Sequence, residues 1–319
     1  MNQMLLIRQS LIKFYKTYEL FINMASKFII ILISMTGLNQ VVGVSTVLNN
    51  IWVTLGISAI SMFIPMSYVS IILMLIVIFH LSQISIILAG IGTLICFITY
   101  VMYIRLFPKE SVAILFTMLL LHIEGVYIIP IVGGLFFGVP YIGAIIVGCF
   151  FSYLLAHLAV LINSNITEIS VANLELIVVS LMENTIFNEE MITVISILSV
   201  TFLVVYVIRL LPMDFAPYIA ACIGGVVNAL GFLLARILLN LNVSMGMMIL
   251  MTLIGVCIAV FMQFMVIVLD YNRAQTVSFE DESNYYFVKV IPKVELQTDF
   301  NKTEKIFGTT ENLNSDWQV

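Results

Sequence analysis

Between Met191 and Ile208 the chain runs eighteen residues without a charged side chain. As a helix that run would be about 27 Å long, close to the thickness of the hydrocarbon core of a bilayer. Comparable apolar segments lie at roughly 18–38, 45–64, 67–82, 85–104, 140–162, 190–208, 213–239 and 245–269. Composition leaves no other solvent for them. Of the 319 residues, 62% are hydrophobic and 10% charged, against about 45–50% and about 25% in a soluble domain. A globule of this size could not cover itself with so little polar surface. The expected fold is all-α and polytopic, with about eight transmembrane helices.

Charge divides the chain in two. Residues 1–269 hold 8 of the 13 Lys and Arg and 9 of the 18 Asp and Glu, so the last fifty residues carry nearly half of all charges. This gives a membrane domain over 1–270 and a polar tail over 271–319. Most of the net charge of −5 comes from that tail, and no basic cluster points to nucleic acid. No cleavable signal peptide is expected, because mixed residues precede the first apolar run and no small-residue cleavage site follows it. Cys96, Cys149, Cys222 and Cys257 sit in separate apolar segments without metal or redox spacing, and read as free thiols.

The first 24 residues form a different kind of element. Met4, Ile7, Leu11, Phe14, Tyr18 and Phe21 recur at three- and four-residue steps, with Arg8, Lys13 and Lys16 on the other faces. That pattern predicts a basic amphipathic helix lying in an anionic interface on the cytoplasmic side. Residues 168–184 are a second amphipathic candidate, with Ile169, Leu174, Ile177, Val178 and Leu181 opposite Glu168 and Glu175. In the tail, Val288, Val290, Val294 and Leu296 alternate with Lys289, Lys293 and Glu295, a strand-like period interrupted by Pro292. One or two strands do not fold alone. The tail is therefore expected to dock on the body, on a second copy or on a protein partner, with its remainder disordered.

One segment spoils the spanning pattern. HIEGVYIIPIVGGLFFGVP, His122 to Pro140, brings a histidine, a carboxylate, two prolines and four glycines into apolar sequence. Positive-inside counting gives it weight. Arg105, Lys109 and Arg209 end spans, whereas the 163–190 connection carries five glutamates and no Lys or Arg. All basic connections share the cytoplasmic side only if 109–137 enters and leaves by one face, as a re-entrant or broken helical hairpin, with both termini inside. If 109–137 crosses, Arg209 lands outside.

The chain also repeats itself. VMYIRLFPKE (101–110) and VYVIRLLPMD (205–214) match at an offset of 104, sharing Arg105/Arg209, Pro108/Pro212 and the acidic pair Glu110/Asp214. This suggests repeat units of about 85–162 and 190–269. Locally, the Arg can cap helix carbonyls, the Pro suits the next helix's first turn, and the acid faces that helix's positive end. Internal repeats are common in transporters, whose sites lie where the repeats meet. The second copy of the broken segment, 213–239, is interrupted only by Gly224–Gly225, so either the copies have diverged, or both are hairpins, or both cross.

Ionisable groups deep in apolar sequence are the default functional candidates in a membrane protein. Here they are His80, His122, Glu124, His157 and Arg236, with Asn228 as a polar companion. Glu124 and His122 adjoin the break, where unpaired backbone groups need protein or water around them. With Pro130, Gly133, Gly134 and the facing Gly224–Asn228 region they form the candidate substrate or ion site. The competing reading is that the glycines only let helices approach. Arg236 suits either a helix-end position or an ion pair with Glu124, and His80 and His157 suit interfacial positions. No HExxH, GxGD, DDxxD or P-loop sequence is present, so no enzymatic activity, metal or cofactor is expected.

The IRLFPKE…PIVGGL block and the tail, with Glu280–Glu282, Tyr285–Tyr286 and the V-K-x-x-P-K run Val288–Lys293, resemble a group of permease-like multi-pass membrane proteins of clostridial bacteria. The resemblance implies a bacterial cytoplasmic membrane and brings no catalytic residues. Two functions remain open: a transporter or permease of a small solute or ion, and a non-transporting scaffold subunit of a cell-envelope assembly.

Overall fold

A computed structural model describes residues 2–41, 45–163, 179–241, 243–266, 275–281 and 283–290. Among these residues, eleven helices come in the order α1 (Asn2–Thr17), α2 (Glu19–Val41), α3 (Ile51–Ser61), α4 (Met66–Ser82), α5 (Ile86–Thr99), α6 (Val112–His122), α7 (Ile128–Phe136), α8 (Tyr141–Asn163), α9 (Glu189–Leu210), α10 (Ala216–Leu239) and α11 (Met245–Val266). A π-helical turn, Tyr100–Ile104, extends α5, and another, Met182–Ile186, precedes α9. Two strands follow, β1 (Gln275–Glu280) and β2 (Tyr285–Val290). The chain divides into a unit of Gln9–Val266 and a second unit of Met1–Arg8 with Ile267–Val319.

Six helical segments among the described residues are long and apolar enough to cross a membrane: Glu19–Val41, Ile86–Ile104, Tyr141–Val160, Val179–Leu210, Ala216–Leu239 and Met245–Val266. Their outward faces carry bare Leu, Ile, Val and Phe, including Ile86 at 80% and Leu238 at 72% exposure. The molecule is built to be embedded in a membrane. Two of the eight expected spans, 45–64 and 67–82, are not among these segments. Asn50 caps α3 by accepting from Trp52 N (3.0 Å), and Pro65, which cannot donate to a continuing helix, stands before α4. The run 45–82 therefore folds as helices of 11 and 17 residues.

Local chemistry sets the other boundaries too. The Ser85 hydroxyl accepts from Ile87 N at the start of α5, and Asn188 Oδ1 accepts from Met191 N at the start of α9. Glu189 and Glu190 complement the positive end of α9. Inside the helices, hydroxyls bond back to their own backbone, as Ser34 to the Ile30 carbonyl, Ser58 to Thr54 and Thr117 to Ala113. That satisfies them without water.

Polar contacts tie α2, α3 and α4 into an up-down-up arrangement. Near one end, Lys27 Nζ donates to the Ile64 carbonyl (3.2 Å). Near the other, Asn39 Nδ2 donates to the Leu48 carbonyl (2.8 Å) and Ser45 N donates to His80 Nδ1 (3.3 Å). His80 Nε2 lies 3.1 Å from Asn39 Oδ1. With Nδ1 accepting, the ring is neutral and donates through Nε2. His80 is thus at a helix end, as its sequence position suggests, buried at 1% exposure with both ring nitrogens partnered. His157, half-buried, pairs with Ser180 Oγ (3.2 Å).

The two copies of the repeated motif occupy like places. Residues 105–111 lead from the π-turn of α5 into α6, and 211–215 lead from α9 into α10, both helices beginning at the same offset. The roles expected of the motif's proline and acid need correction. Pro108 and Pro212 stand several residues before those helices, not in their first turns, where α10 instead has Pro217. Glu110 and Asp214 also fall short of the helices, each one residue before the N-cap, which is Ser111 for α6 and Phe215 for α10. Neither first turn contains an acidic residue. The reason at Asp214 is its neighbour: Phe215 takes left-handed backbone (φ 60°), so the helix starts only after it, and Asp214 belongs to the exposed preceding turn. Beyond the motif the copies diverge, since α6 stops after 11 residues while α10 runs for 24.

In the second unit, β1 and β2 form an antiparallel hairpin with Glu280 opposite Tyr285 and Val277 opposite Val288. β1 was not signalled by the alternation at 288–296; β2 begins earlier, and residues 291–296 lie outside the described ones, as do 168–178 of the 168–184 candidate helix. Asp281 Oδ1 accepts from Ser283 N and Asn284 N (2.8 Å each), and Tyr286 Oη donates to Oδ2 (3.1 Å). These donors hold the Asp281 carboxyl below the usual carboxylate range.

Candidate functional site at the tip of the broken helix pair

α6 ends in a Schellman arrangement. Gly125 N donates to the Leu120 carbonyl (2.6 Å) and Glu124 N to the Leu121 carbonyl (3.3 Å). The left-handed position of that motif is normally glycine. Here it is Glu124, at φ 55°, a conformation that costs a side chain about 1–2 kcal/mol. Such strain persists only where the surroundings over-determine it, and it concentrates at functional sites. The chain restarts as α7 at Ile128, which places Pro130 third in the helix, where its missing N–H costs nothing. An unbroken helix through 122–136 would have put that proline in its interior. The break therefore falls between Glu124, which makes the left-handed turn itself, and the proline that could not stand inside a continuous helix.

Around the tip, Ser244 Oγ donates to Glu124 Oε2 (2.5 Å) and Arg236 Nη1 donates to the Val243 carbonyl (2.7 Å). Glu124 and Arg236 hold the α10–α11 connection by adjacent residues instead of pairing directly. His122 and Glu124 are exposed, and both line a cavity of about 370 Å³ bounded by α2, α4, α6 and α8. Its remaining wall is Ser34, Gly37, Leu38 and Val41 from α2, Leu73 from α4, Leu115, Met118, Leu119 and Leu121 from α6, and Ser152, Tyr153, Leu155 and Ala156 from α8. Ser34, Leu38, Leu73, Leu115 and Leu155 are buried and form the floor, while the two ionisable groups stand at the rim.

Pro130, Gly133 and Gly134 are elsewhere. All three are buried in α7, and none lines the cavity. A Cβ at Gly133 would lie 2.3 Å from Tyr141 Cε1, and one at Gly134 would lie 2.7 Å from Val205 Cβ and 3.0 Å from the Phe202 carbonyl. These glycines are a packing surface, the simpler of the two readings. Gly255 does the same service for Ile128, whose Cα would be 3.1 Å from an added Cβ. The base of α7 is pinned by a ladder of rings. Phe137 stacks on Tyr141, Tyr141 on Phe202 and Phe202 on Tyr206, with centroids 4.7, 5.7 and 6.1 Å apart. The Arg209 guanidinium covers Tyr206 at 5.1 Å and donates to the Leu135 carbonyl. It caps α7, a different helix from the one it terminates.

Asn228 meets the hairpin from the other side. Fully buried, it donates through Nδ2 to the Tyr127 carbonyl (3.2 Å) and lies 3.3 Å from Thr252 Oγ1. Its Oδ1 has no partner. Asn228 so gives a buried donor to the carbonyl of Tyr127, the residue that caps the start of α7. Sequence reasoning thus brought together two clusters that the fold separates, a rim of His122 and Glu124 and a buried brace of Asn228 with α7. Ser34, Ser152, Tyr153 and Ser244 carried no signal, being ordinary small or aromatic residues within or beside apolar runs.

Among the described residues no three of His, Cys, Asp and Glu approach one another as a metal site would require. Comparison with protein-family models, with curated proteins and with solved structures finds no match to this chain.

Proposed function

We propose that the chain is a permease-like transporter whose site is the Glu124 tip of a re-entrant α6–α7 hairpin. The observation that carries this reading is a carboxylate held in left-handed backbone at the mouth of a cavity inside the helical body. A helix C-terminus and a carboxylate are both negative, so they favour a cation or a hydrogen-bond donor. The path of the chain supports a hairpin. α6 leaves the Ser111 end, where Ser70 Oγ donates to the Ser111 carbonyl (3.1 Å), and α7 returns to the Arg209 end. Arg105, Lys109 and Arg209 then share the cytoplasmic face of a bacterial membrane, with both termini inside. Helices of 11 and 9 residues are about 17 and 14 Å long, each too short to cross a core of about 30 Å.

The rival reading, a scaffold subunit that docks partners or a second copy through 271–319, predicts a static tip. Labelling Glu124→Cys with a membrane-impermeant maleimide in right-side-out and inverted vesicles separates the two. A transport site is reached from both faces during its cycle, so labelling in both orientations is expected; labelling from one face only overturns the transport reading. Lys109→Cys and Phe137→Cys are expected to react from one common face, and reaction from opposite faces overturns the hairpin.

A further inference from the structure

The cavity is more selective than a generic solute site, and we propose that it takes a single-chain amphiphile with a cationic head, the head at Glu124 and the chain among the leucines. This rests on the reading of Glu124 as the site's polar determinant. Polarity is graded along the cavity. His122 and Glu124 are exposed at the rim, whereas Leu38, Leu73, Leu115 and Leu155 are buried below them. A small hydrated ion would gain nothing from such a floor and would lose its water there. An apolar molecule without a head would leave the carboxylate unused. A molecule with both parts matches both ends.

The volume agrees with this. At about 30 Å³ per water-sized group, 370 Å³ holds about a dozen non-hydrogen atoms. That is a medium alkyl chain and far too little for a two-chain phospholipid. Head-group charge follows from the rim. Glu124 stands just beyond the C-terminus of α6, so its carboxylate and the last carbonyls of the helix present the same sign. Phosphate and carboxylate heads are repelled, and an ammonium is drawn in. Ser34 and Ser152 on the wall, with the Tyr153 side chain, give secondary hydrogen-bonding positions. The Ser244 hydroxyl already donates to Oε2, which leaves Oε1 for the incoming head.

The test is equilibrium binding to the full-length protein in a neutral maltoside detergent, with decyltrimethylammonium and decyl phosphate as probes of equal chain length. Saturable binding of one ammonium probe per chain is expected, at least tenfold tighter than the phosphate. Glu124→Gln should remove that preference while leaving the protein monodisperse, and Ala156→Trp, which enters the cavity from an exposed position, should weaken both probes at least tenfold. Equal affinity for the two probes, or an unchanged preference in Glu124→Gln, overturns the inference, as does unchanged binding in Ala156→Trp. The binding assay and the two-sided labelling fail separately. Selective binding with one-sided labelling leaves the amphiphile site standing and removes transport. Two-sided labelling without probe selectivity keeps transport and removes the amphiphile.

Discussion

α6 and α10 begin 104 residues apart, each after an Arg-x-x-Pro motif, yet one breaks after 11 residues and the other continues for 24. At that offset Glu124 corresponds to Asn228, Gly125 to Ala229 and Pro130 to Leu234. Both segments thus carry a polar residue at this offset, while the helix around it differs. In α10, where alanine and leucine follow, the backbone bonds to itself and Asn228 is free to serve another chain segment. In α6–α7, where glycine and proline follow, the helix ends, and the glutamate is turned outward to the cavity. The Asn228 amide of α10 then donates to the Tyr127 carbonyl at the start of α7. A break inside a membrane-embedded body is tolerated when a neighbouring helix can complete its hydrogen bonds.

The sharpest way to break this comparison is to overfill the broken copy. Gly134→Leu would drive side-chain atoms into Val205 and the Phe202 carbonyl, part of which is backbone and cannot yield. Loss of monodisperse protein on size exclusion is the expected outcome. By contrast, Gly225→Ala in α10 meets the Val256 Cγ2 terminus (2.5 Å from the added Cβ) and should cost about 1–2 kcal/mol, measurable as a lowered thermal midpoint. Next in size is Arg209→Met, which removes the charged cap of Leu135 and the cover on Tyr206; about 2 kcal/mol should be lost.

Asn228→Leu separates the two copies chemically. It leaves the Tyr127 carbonyl buried and without its donor, for an expected loss of about 1–2 kcal/mol in the same measurement. Glu124→Gly should act in the opposite direction. Relief of the left-handed strain is expected to raise stability by about 1 kcal/mol while removing the preference for the ammonium probe. A fall in stability would mean that the Ser244 bond outweighs the strain.

The smallest effect lies outside both regions and serves as a control. Asp281 has a lowered carboxyl pKa in the folded hairpin, so its contribution is present above the ordinary Asp range and is lost as pH falls through the folded value. The amide signals of Ser283 and Asn284 in the full-length protein should titrate below the midpoint of an unstructured Asp. Asp281→Asn should abolish that titration and leave the thermal midpoint of the helical unit unchanged.

What could be read without coordinates had a periodic or compositional cause. Apolar runs locate α2, α5, α8, α9, α10 and α11, because a bilayer demands length and apolarity together. The break at 122–130 was legible because Pro130 acts on the backbone locally, whatever surrounds it, although the left-handed residue that ends α6 is Glu124 and not the neighbouring glycine. Local signals misplaced Pro108 and Pro212, and with them Glu110 and Asp214, since connection length before a helix depends on where the next helix packs. They also missed β1, whose partner strand lies across a turn fixed by Asp281.

The candidate site shows the same division. By itself the sequence determined that Glu124, His122 and Asn228 are rare polar groups in apolar surroundings, and that a helix must end beside the first two. Only the tertiary structure decided that Gly133 and Gly134 accept Tyr141 and Val205, that Arg209 caps α7, and that Glu124 faces a cavity while Asn228 braces the backbone behind it. Chain chemistry is local and therefore visible in order along the sequence. Which surface a side chain meets depends on residues such as Ser244 and Tyr127, more than 100 positions from the groups they touch.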